Sequence, residues 1–401
     1  MVNPYLTRFL ILTAQTELSP SERKELLDLH RQLSDHQLIL AKLEEEGLVG
    51  LAYHHFNAFS NDVNPDFFNL LKNKALVYTA RQARIIEQIL PLSSFLSREN
   101  IRWVVVKGLS LAYRIYPEPY WRPFFDVDML VHPDDGERVD ELLSGFGLEP
   151  VMARHLSLAS NLAALKKNFW LYRPLYKKKE LFLEVHLGFP LLHQEREGEE
   201  DFWTSREKFK VQGLELPCLL PEYEFALLCL HLQQHSYSRL IWLTDIVQLI
   251  KARQINWDKV KEIAQREHVE GSLAYAISII NQLWPNFASE DTGPLFSPTK
   301  QEKFWLRVFF PLSPILTREE IKESPIHTPS LLQLLGQPRV RTWGRTLKNF
   351  FFPPADWVTY YYGFKPWSFK FFHHYLWRLT RPFIFLVKRL FWIRRRKNFN
   401  Q

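Results

Sequence analysis

The chain of 401 residues has only two cysteines, Cys218 and Cys229. Two are too few for a disulfide framework, and their separation lacks the paired ligand spacing of a zinc site. A reducing cytoplasm is therefore the expected compartment. No run reaches the roughly 20 apolar residues that a membrane-spanning helix needs. The first residues, MVNPYLTRFLILTAQTELSP, have a short apolar patch but neither a basic leader nor a small-residue cleavage site, so no signal peptide is expected. Internal repeats and low-complexity tracts are also missing. What is present is a hydrophobic content of 46%, enough for one large core or two to three smaller ones.

Acidic residues are scarce in one place. Residues 341–401 contain 13 Lys/Arg against the single acid Asp356, a net +12. The whole chain is +7, so the remaining 340 residues carry −5. The basic character is local, a property of the end of the chain rather than of its body.

Residues 1–100 read as helical. SPSERKELLDLHRQL opens with Ser19-Pro20 and acids in the first turn, as a helix N-terminus prefers. DHQLILAKLEEEGLVGLAYHHFNAF and PDFFNLLKNKALVYTARQARIIEQILPLSSFLSREN follow with apolar residues at three-to-four spacing. At Ile101 the pattern changes. IRWVVVK is a strand, stopped by Gly108; LSLAYRIY reads as a short helix and FFDVDMLVH as a second strand. GERVDELLSGFG is a helix ending at glycine. NFWLYRPLY and ELFLEVHLGF flank Lys177-Lys178-Lys179 as a hairpin, and FKVQGLELPCL reads as a further strand pair. From Pro221 the chain is helical again, with a Pro- and Ser-punctuated stretch at 287–330. The expected organisation is a helical region at 1–100, an α/β core at 101–220, a helical region at 221–335 and a basic aromatic tail at 336–401.

The stretch PYWRPFFDVDMLVHPDD puts Asp126 and Asp128 into an apolar strand. Side chains alternate along a strand, so the two project from one face. Buried charges are costly unless paired or bound to metal. A Mg²⁺ ion takes a few carboxylate oxygens and leaves room for water and phosphate oxygens. Glu184, in LFLEVHLGF, is a third acid in an apolar strand; beside the first strand it would complete a three-carboxylate site for two-metal phosphoryl chemistry. Upstream, Lys107-Gly108 lies between a strand and a helix start, where N–H groups bind anions such as phosphate. Gly108 permits close backbone approach, Ser110 offers a hydroxyl, and Lys107 and Arg122 offer charge.

Taken in order, VVVKGLSLAYRIYPEPYWRPFFDVDMLVHPDD, LFLEVHLGF and LPEYEFALLCLHLQQHSYSRLIWLTDIVQLI resemble the uncharacterised nucleotidyltransferase family of the DNA polymerase β-like superfamily. The Lys-Gly-x-[Ala/Ser]-Leu turn, the Arg-Pro before Asp-x-Asp-x-Leu-Val, the later Glu-x-His, and a helical His-x-x-x-His with a downstream Asp all stand here. The resemblance covers roughly residues 35–250 and, more weakly, FFFPPADWVTYYYGF. It implies an α+β fold with a polymerase β-like core, a mixed sheet with flanking helices, between helical N- and C-terminal regions. It implies transfer of a nucleoside monophosphate from an NTP, as co-substrate, to an acceptor hydroxyl or phosphate that the sequence does not name. Carried onto this chain, the metal-binding acids are Asp126, Asp128 and Glu184, for Mg²⁺ or Mn²⁺, and the phosphate-gripping turn is Gly108 with Ser110.

Other readings stand beside this one. Asp-x-Asp alone also occurs as a solvated turn, and in metal-dependent glycosyltransferases, although their fold begins with strands where this chain reads helical. A non-catalytic nucleotide-binding scaffold is a further alternative, against which all three carboxylates are retained. Lys107 reads equally as a strand-end surface lysine and Arg122 as the partner of a local acid. His186, on the strand face of Glu184, either lines the site or is a hydrogen-bonded core histidine. If HLQQHSYSRLIWLTD is one helix, His231, His235, Trp242 and Asp245 share a face fit for acceptor or base contacts, or for a structural polar network; Ser236-Tyr237-Ser238 would void this by breaking the helix. The tail mixes aromatics with cations. It is read first as docked up to Pro382, next as the contact with an anionic membrane surface, with 388–397 free for that partner, and last as a nucleic-acid contact. No specific nucleic-acid module is recognisable.

Overall fold

Valines and a tryptophan with no polar alternation make Trp103–Val106 (β1) a strand buried on both faces, and Val127–Val131 (β2) is buried throughout as well. In this computed structural model β1 and β2 pair antiparallel at the centre of a mixed sheet. The structure describes residues 3–151, 175–188, 199–235, 237–267, 269–287, 300, 351–380, 384 and 387. Among the described residues the sheet has seven strands in the order β3-β4-β5-β2-β1-β7-β6. The others are Glu149–Pro150 (β3), Leu175–Lys178 (β4), Leu181–Leu187 (β5), Glu207–Val211 (β6) and Leu214–Cys218 (β7). β5 runs parallel to β2, and β7 parallel to β1; the remaining pairs are antiparallel.

The two hairpins expected from sequence are both present in their described parts. β4 and β5 flank Lys179-Glu180. β6 and β7 are joined through Gln212 and Gly213, both at positive φ (+49° and +85°), as a two-residue hairpin turn demands. Most of NFWLYRPLY lies outside the described residues, as do 288–299, 301–350 and 388–401.

The N-terminal helices are Pro4–Thr13 (α1), Pro20–Gln32 (α2), His36–Glu46 (α3), Val49–Asn57 (α4) and Pro65–Arg98 (α5). Ser19 and Glu22 close a capping box at the predicted start of α2. Gly108–Arg114 (α6) follows β1, and Gly136–Gly145 (α7) follows β2. Then come Glu199–Thr204 (α8), Pro221–Gln234 (α9), Leu240–Ala252 (α10), Trp257–Glu267 (α11), Glu270–Leu283 (α12) and Ala355–Tyr362 (α13); residues 369–380 are helical too. The architecture is mixed α+β.

The chain divides into two compact units. The first comprises residues 1–151, 173–228 and 239–260. It holds the sheet, α1–α7 and α10. Here Thr244 and Gln248 of α10 hydrogen-bond to Ala14 O and Thr16 Oγ1, and the Leu240 N–H donates to Glu46. The second comprises 152–172, 229–238 and 261–401. Ser272 of α12 bonds to Gln233, Tyr375 Oη donates to Pro353 O at 2.6 Å, and Val358, Phe371, His374 and Arg378 are buried. Within the described part of the tail these four are buried and Tyr362, Phe364, Tyr375 and Trp377 are half-buried, whereas other bulky residues face solvent. Trp367 is 78% and Phe369 84% exposed, and Phe372 and Leu376 are exposed as well. Helical spacing over 369–380 turns Phe369, Phe372 and Leu376 away from Phe371, His374 and Arg378, while Trp367 stands in the turn before that helix. Trp392 and the 388–397 segment lie outside the described residues. Among the described residues no helix is long and apolar enough to cross a membrane.

Candidate functional site

Lys107 stands between β1 and α6 at φ +56°, a conformation that costs a non-glycine residue energy and that persists where surrounding structure enforces it. Gly108 next to it is required by packing. A Cβ there would lie 2.9 Å from Phe124 Cβ, so the turn is pressed onto the segment that leads into β2. That segment is held from other directions as well. A Cβ on Gly50 of α4 would meet Tyr120 O at 2.0 Å, so only glycine lets α4 approach this backbone. From α5, Tyr78 packs edge-on against Phe125 with ring centroids 4.7 Å apart, Arg81 lies 5.0 Å over the same ring, and Gln82 donates to Arg122 O at 3.3 Å.

The acids follow. β2 begins at Val127, which leaves Asp126 in the bend before it rather than in the strand as its sequence suggests. The reason is that β1 ends at Val106, opposite Asp128; the chain that would pair with Asp126 has already turned into α6. Asp128 sits in register with Glu184 on the adjacent parallel strand β5, so the two carboxylates leave the same face. His186, two residues along β5, leaves that face too. Ligand atoms of Asp128, Glu184 and His186 all lie within 4.8 Å of one another. His186 Nε2 is 3.1 Å from Asp128 Oδ1 and 3.6 Å from Glu184 Oε1, and Lys107 Nζ is 2.7 Å from Asp128 Oδ1.

Burial alone would raise the Asp128 carboxyl, but the Lys107 charge and the hydrogen bond and charge of His186 override it and hold the group well below the usual carboxylate range. Asp126 goes the other way. Desolvation by surrounding protein and repulsion from Asp128 push it up to about 6, with a further push from Glu184, against the pull of Lys107 and Arg122. Its side chain still reaches water, so repulsion is the firmer cause. Two carboxylates and an imidazole converging on one point, with a third carboxylate repelled beside them, form a donor set that suits a divalent cation.

Three residues expected at the ligand are turned inward. Arg122 grips Asp245 with Nε at 2.8 and 3.1 Å and Nη2 at 2.9 Å, and its Nη1 donates to Pro123 O at 2.6 Å. Tyr116, which sequence reading did not single out, donates to Asp245 Oδ1 at 2.8 Å. Asp245 is fully buried in this network. Ser110, equally buried, accepts from Arg114 Nη1 at 3.1 Å and donates to Glu224 Oε1 at 3.4 Å, and Arg114 itself bonds Glu224. These groups fix α6 and the 116–123 segment to α9 and α10, against the expectation that Ser110, Arg122 and Asp245 contact ligand.

The single-helix face is also corrected. α9 ends at Gln234, α10 begins at Leu240, and Tyr237 between them has φ +54°. His231 and His235, with rings 4.5 Å apart, belong to the second unit. The signal that could have promoted His186 was the Glu184-x-His186 spacing, which puts both side chains on one strand face.

The sequence model of a family described as uncharacterised nucleotidyltransferase matches residues 32–285. No curated protein matches the chain. Among solved structures, an antigenic nucleotidyltransferase-like protein from Paracoccidioides brasiliensis is similar at 17% identity and a TM-score of 0.35, over 51% of this chain and 90% of that one.

Proposed function

We propose that this chain, which belongs to the uncharacterised nucleotidyltransferase family, transfers a nucleoside monophosphate from an NTP to an acceptor hydroxyl or phosphate, releasing pyrophosphate. The observation that carries the reading is the register of Asp128 against Glu184 on neighbouring strands, with the Lys107 ammonium on the same carboxylate. In this reading residues 101–220 are a catalytic core of the DNA polymerase β-like kind, 1–100 and 221–335 are helical regions around it, and 336–401 is a basic tail.

A divalent metal, Mg²⁺ or Mn²⁺, would supply charge neutralisation at the triphosphate and a lowered pKa at the acceptor hydroxyl. Asp128 and Glu184 would hold it, and Asp126 would complete the set from the solvent side, where a cation relieves the repulsion on its carboxyl. Lys107, now paired with Asp128, would take a phosphate oxygen. Gly108 keeps the turn tight against Phe124, and the N–H groups entering α6 would add to the phosphate contact. Arg122, Asp245 and Tyr116 act as a buried brace that sets the segment carrying Asp126.

For the tail we propose peripheral attachment of a cytoplasmic enzyme to an anionic membrane. Exposed Trp367, Phe369, Phe372 and Leu376 stand beside exposed Lys365 and Lys370, the pattern of an interfacial helix.

The test of the activity is incubation of the full chain with each α-³²P-labelled NTP, a divalent metal and a cell extract. Label is expected in one acceptor fraction, and none with Asp128→Asn. Transfer that is equal in that variant, or absent with every NTP, would remove the catalytic reading.

A further inference from the structure

We infer that His186 Nε2 is itself a metal ligand, and that the site therefore prefers a divalent transition metal to Mg²⁺. The inference rests on the nucleotidyl-transfer reading for the presence of a metal, and goes beyond it in naming a nitrogen ligand and the class of metal.

The geometry of the donor set carries it. Neighbouring ligands of an octahedral ion with bonds of about 2.1 Å lie roughly 3 Å apart. His186 Nε2 is 3.1 Å from Asp128 Oδ1 and 3.6 Å from Glu184 Oε1, close to such an edge on both sides. The three side chains reach this arrangement from paired strands: Asp128 on β2 is in register with Glu184 on β5, and His186 stands two residues further along β5, opposite Leu130. The imidazole and the Asp128 carboxylate are both buried, which limits the ways either can swing away. By contrast Asp126 is not part of the close cluster.

The chemistry then gives the preference. Mg²⁺ is a hard ion that takes oxygens and keeps several waters. Imidazole nitrogen is softer and binds first-row transition metals more strongly. One nitrogen with two carboxylates shifts the balance toward those metals while still accepting an octahedral ion. The competing account is that His186 only orients Asp128 through their 3.1 Å contact, a positioning role that leaves an all-oxygen set around the metal.

Mn²⁺ is the probe, because its electron spin reports directly on bound nitrogen. In the full chain, pulsed electron paramagnetic resonance of bound Mn²⁺ should show ¹⁴N coupling, and His186→Ala should abolish it. The same variant should lose at least about tenfold in Mn²⁺ affinity, with a much smaller change for Mg²⁺ in competition titrations. His186→Asn, which keeps a hydrogen-bond donor toward Asp128, should behave like His186→Ala. Mn²⁺ that binds, depends on Asp128 and shows no ¹⁴N coupling would overturn the inference and leave the nucleotidyl-transfer reading standing. Full retention of the Mn²⁺ preference in His186→Asn would do the same. Failure of Mn²⁺ and Mg²⁺ to bind at all, with or without NTP, would overturn both.

Discussion

Lys107 Nζ and Asp128 Oδ1, 2.7 Å apart, form an ion pair at the point where the proposed metal would sit, so the proposed metal and nucleotide would make opposite demands on the lysine. Without nucleotide the ammonium would compete with a divalent cation for Asp128. With nucleotide it would move to phosphate. Lys107→Met is therefore expected to tighten Mn²⁺ binding severalfold in the absence of NTP and to weaken NTP binding in the presence of metal, both measured by calorimetry. Loss of both affinities would show that the lysine serves only to shape the turn. A second residue-scale prediction concerns His30, buried among Phe56 and Phe67 with ring centroids 5.2 and 4.6 Å away. Burial, then the charges of His36 and Arg31, pushes its imidazole from the ordinary 6.5 down to about 4. The folded state thus holds it neutral, while the unfolded chain protonates it below 6.5. Its contribution is complete above pH 6.5 and is lost as pH falls toward 4, by up to about 3 kcal/mol. Among the described residues its Nδ1 has no hydrogen-bond partner. His30→Leu should flatten the fall in stability between pH 7 and 4.5 in denaturant titrations; an unchanged pH slope would refute the assignment.

At the scale of elements, the site depends on how closely α4 approaches the 120–121 backbone. A side chain at Gly50 would strike a carbonyl oxygen, which cannot rotate away as a flexible side chain could. Gly50→Ala should therefore destabilise the fold by about 1–3 kcal/mol, the usual cost of overpacking. It should also weaken metal–nucleotide binding, because the displaced segment runs on to Asp126. Thermal melting and calorimetry check the two parts, and an unaltered melting temperature would contradict the packing argument. The strand elements were legible from sequence because their residues declare themselves: Trp103–Val106 is β-branched and apolar, and Leu181–Leu187 alternates around Glu184. The start of β2 was less legible, since it is set by where its partner β1 ends.

Over the whole molecule, charge is divided between a tail at +12 and a remainder at −5. An enzyme attached by that tail should co-sediment with phosphatidylserine-containing vesicles at low salt, but not with phosphatidylcholine alone, and should be released at high salt. Removing residues 382–401, or replacing Trp367 and Phe369 together with alanine, should each weaken the binding. Equal binding by all forms, or by none, would remove the membrane role.

The sequence by itself determined the types of the elements, the helical start at Ser19-Pro20, the two hairpins, the acids of the Asp126–Asp128 stretch and of Glu184, and the family that their order resembles. Those are local facts, carried by residue type and short spacing. Tertiary structure alone decided which strands are neighbours, and hence that Asp128 faces Glu184 and that His186 joins them. It also decided that Arg122 turns to Asp245, 123 residues away, and that Ser110 turns to Glu224, 114 residues away. A strand's period fixes the side from which a residue projects, yet what stands opposite depends on pairing across long stretches of chain. A buried charge settles on whichever partner the fold brings within reach.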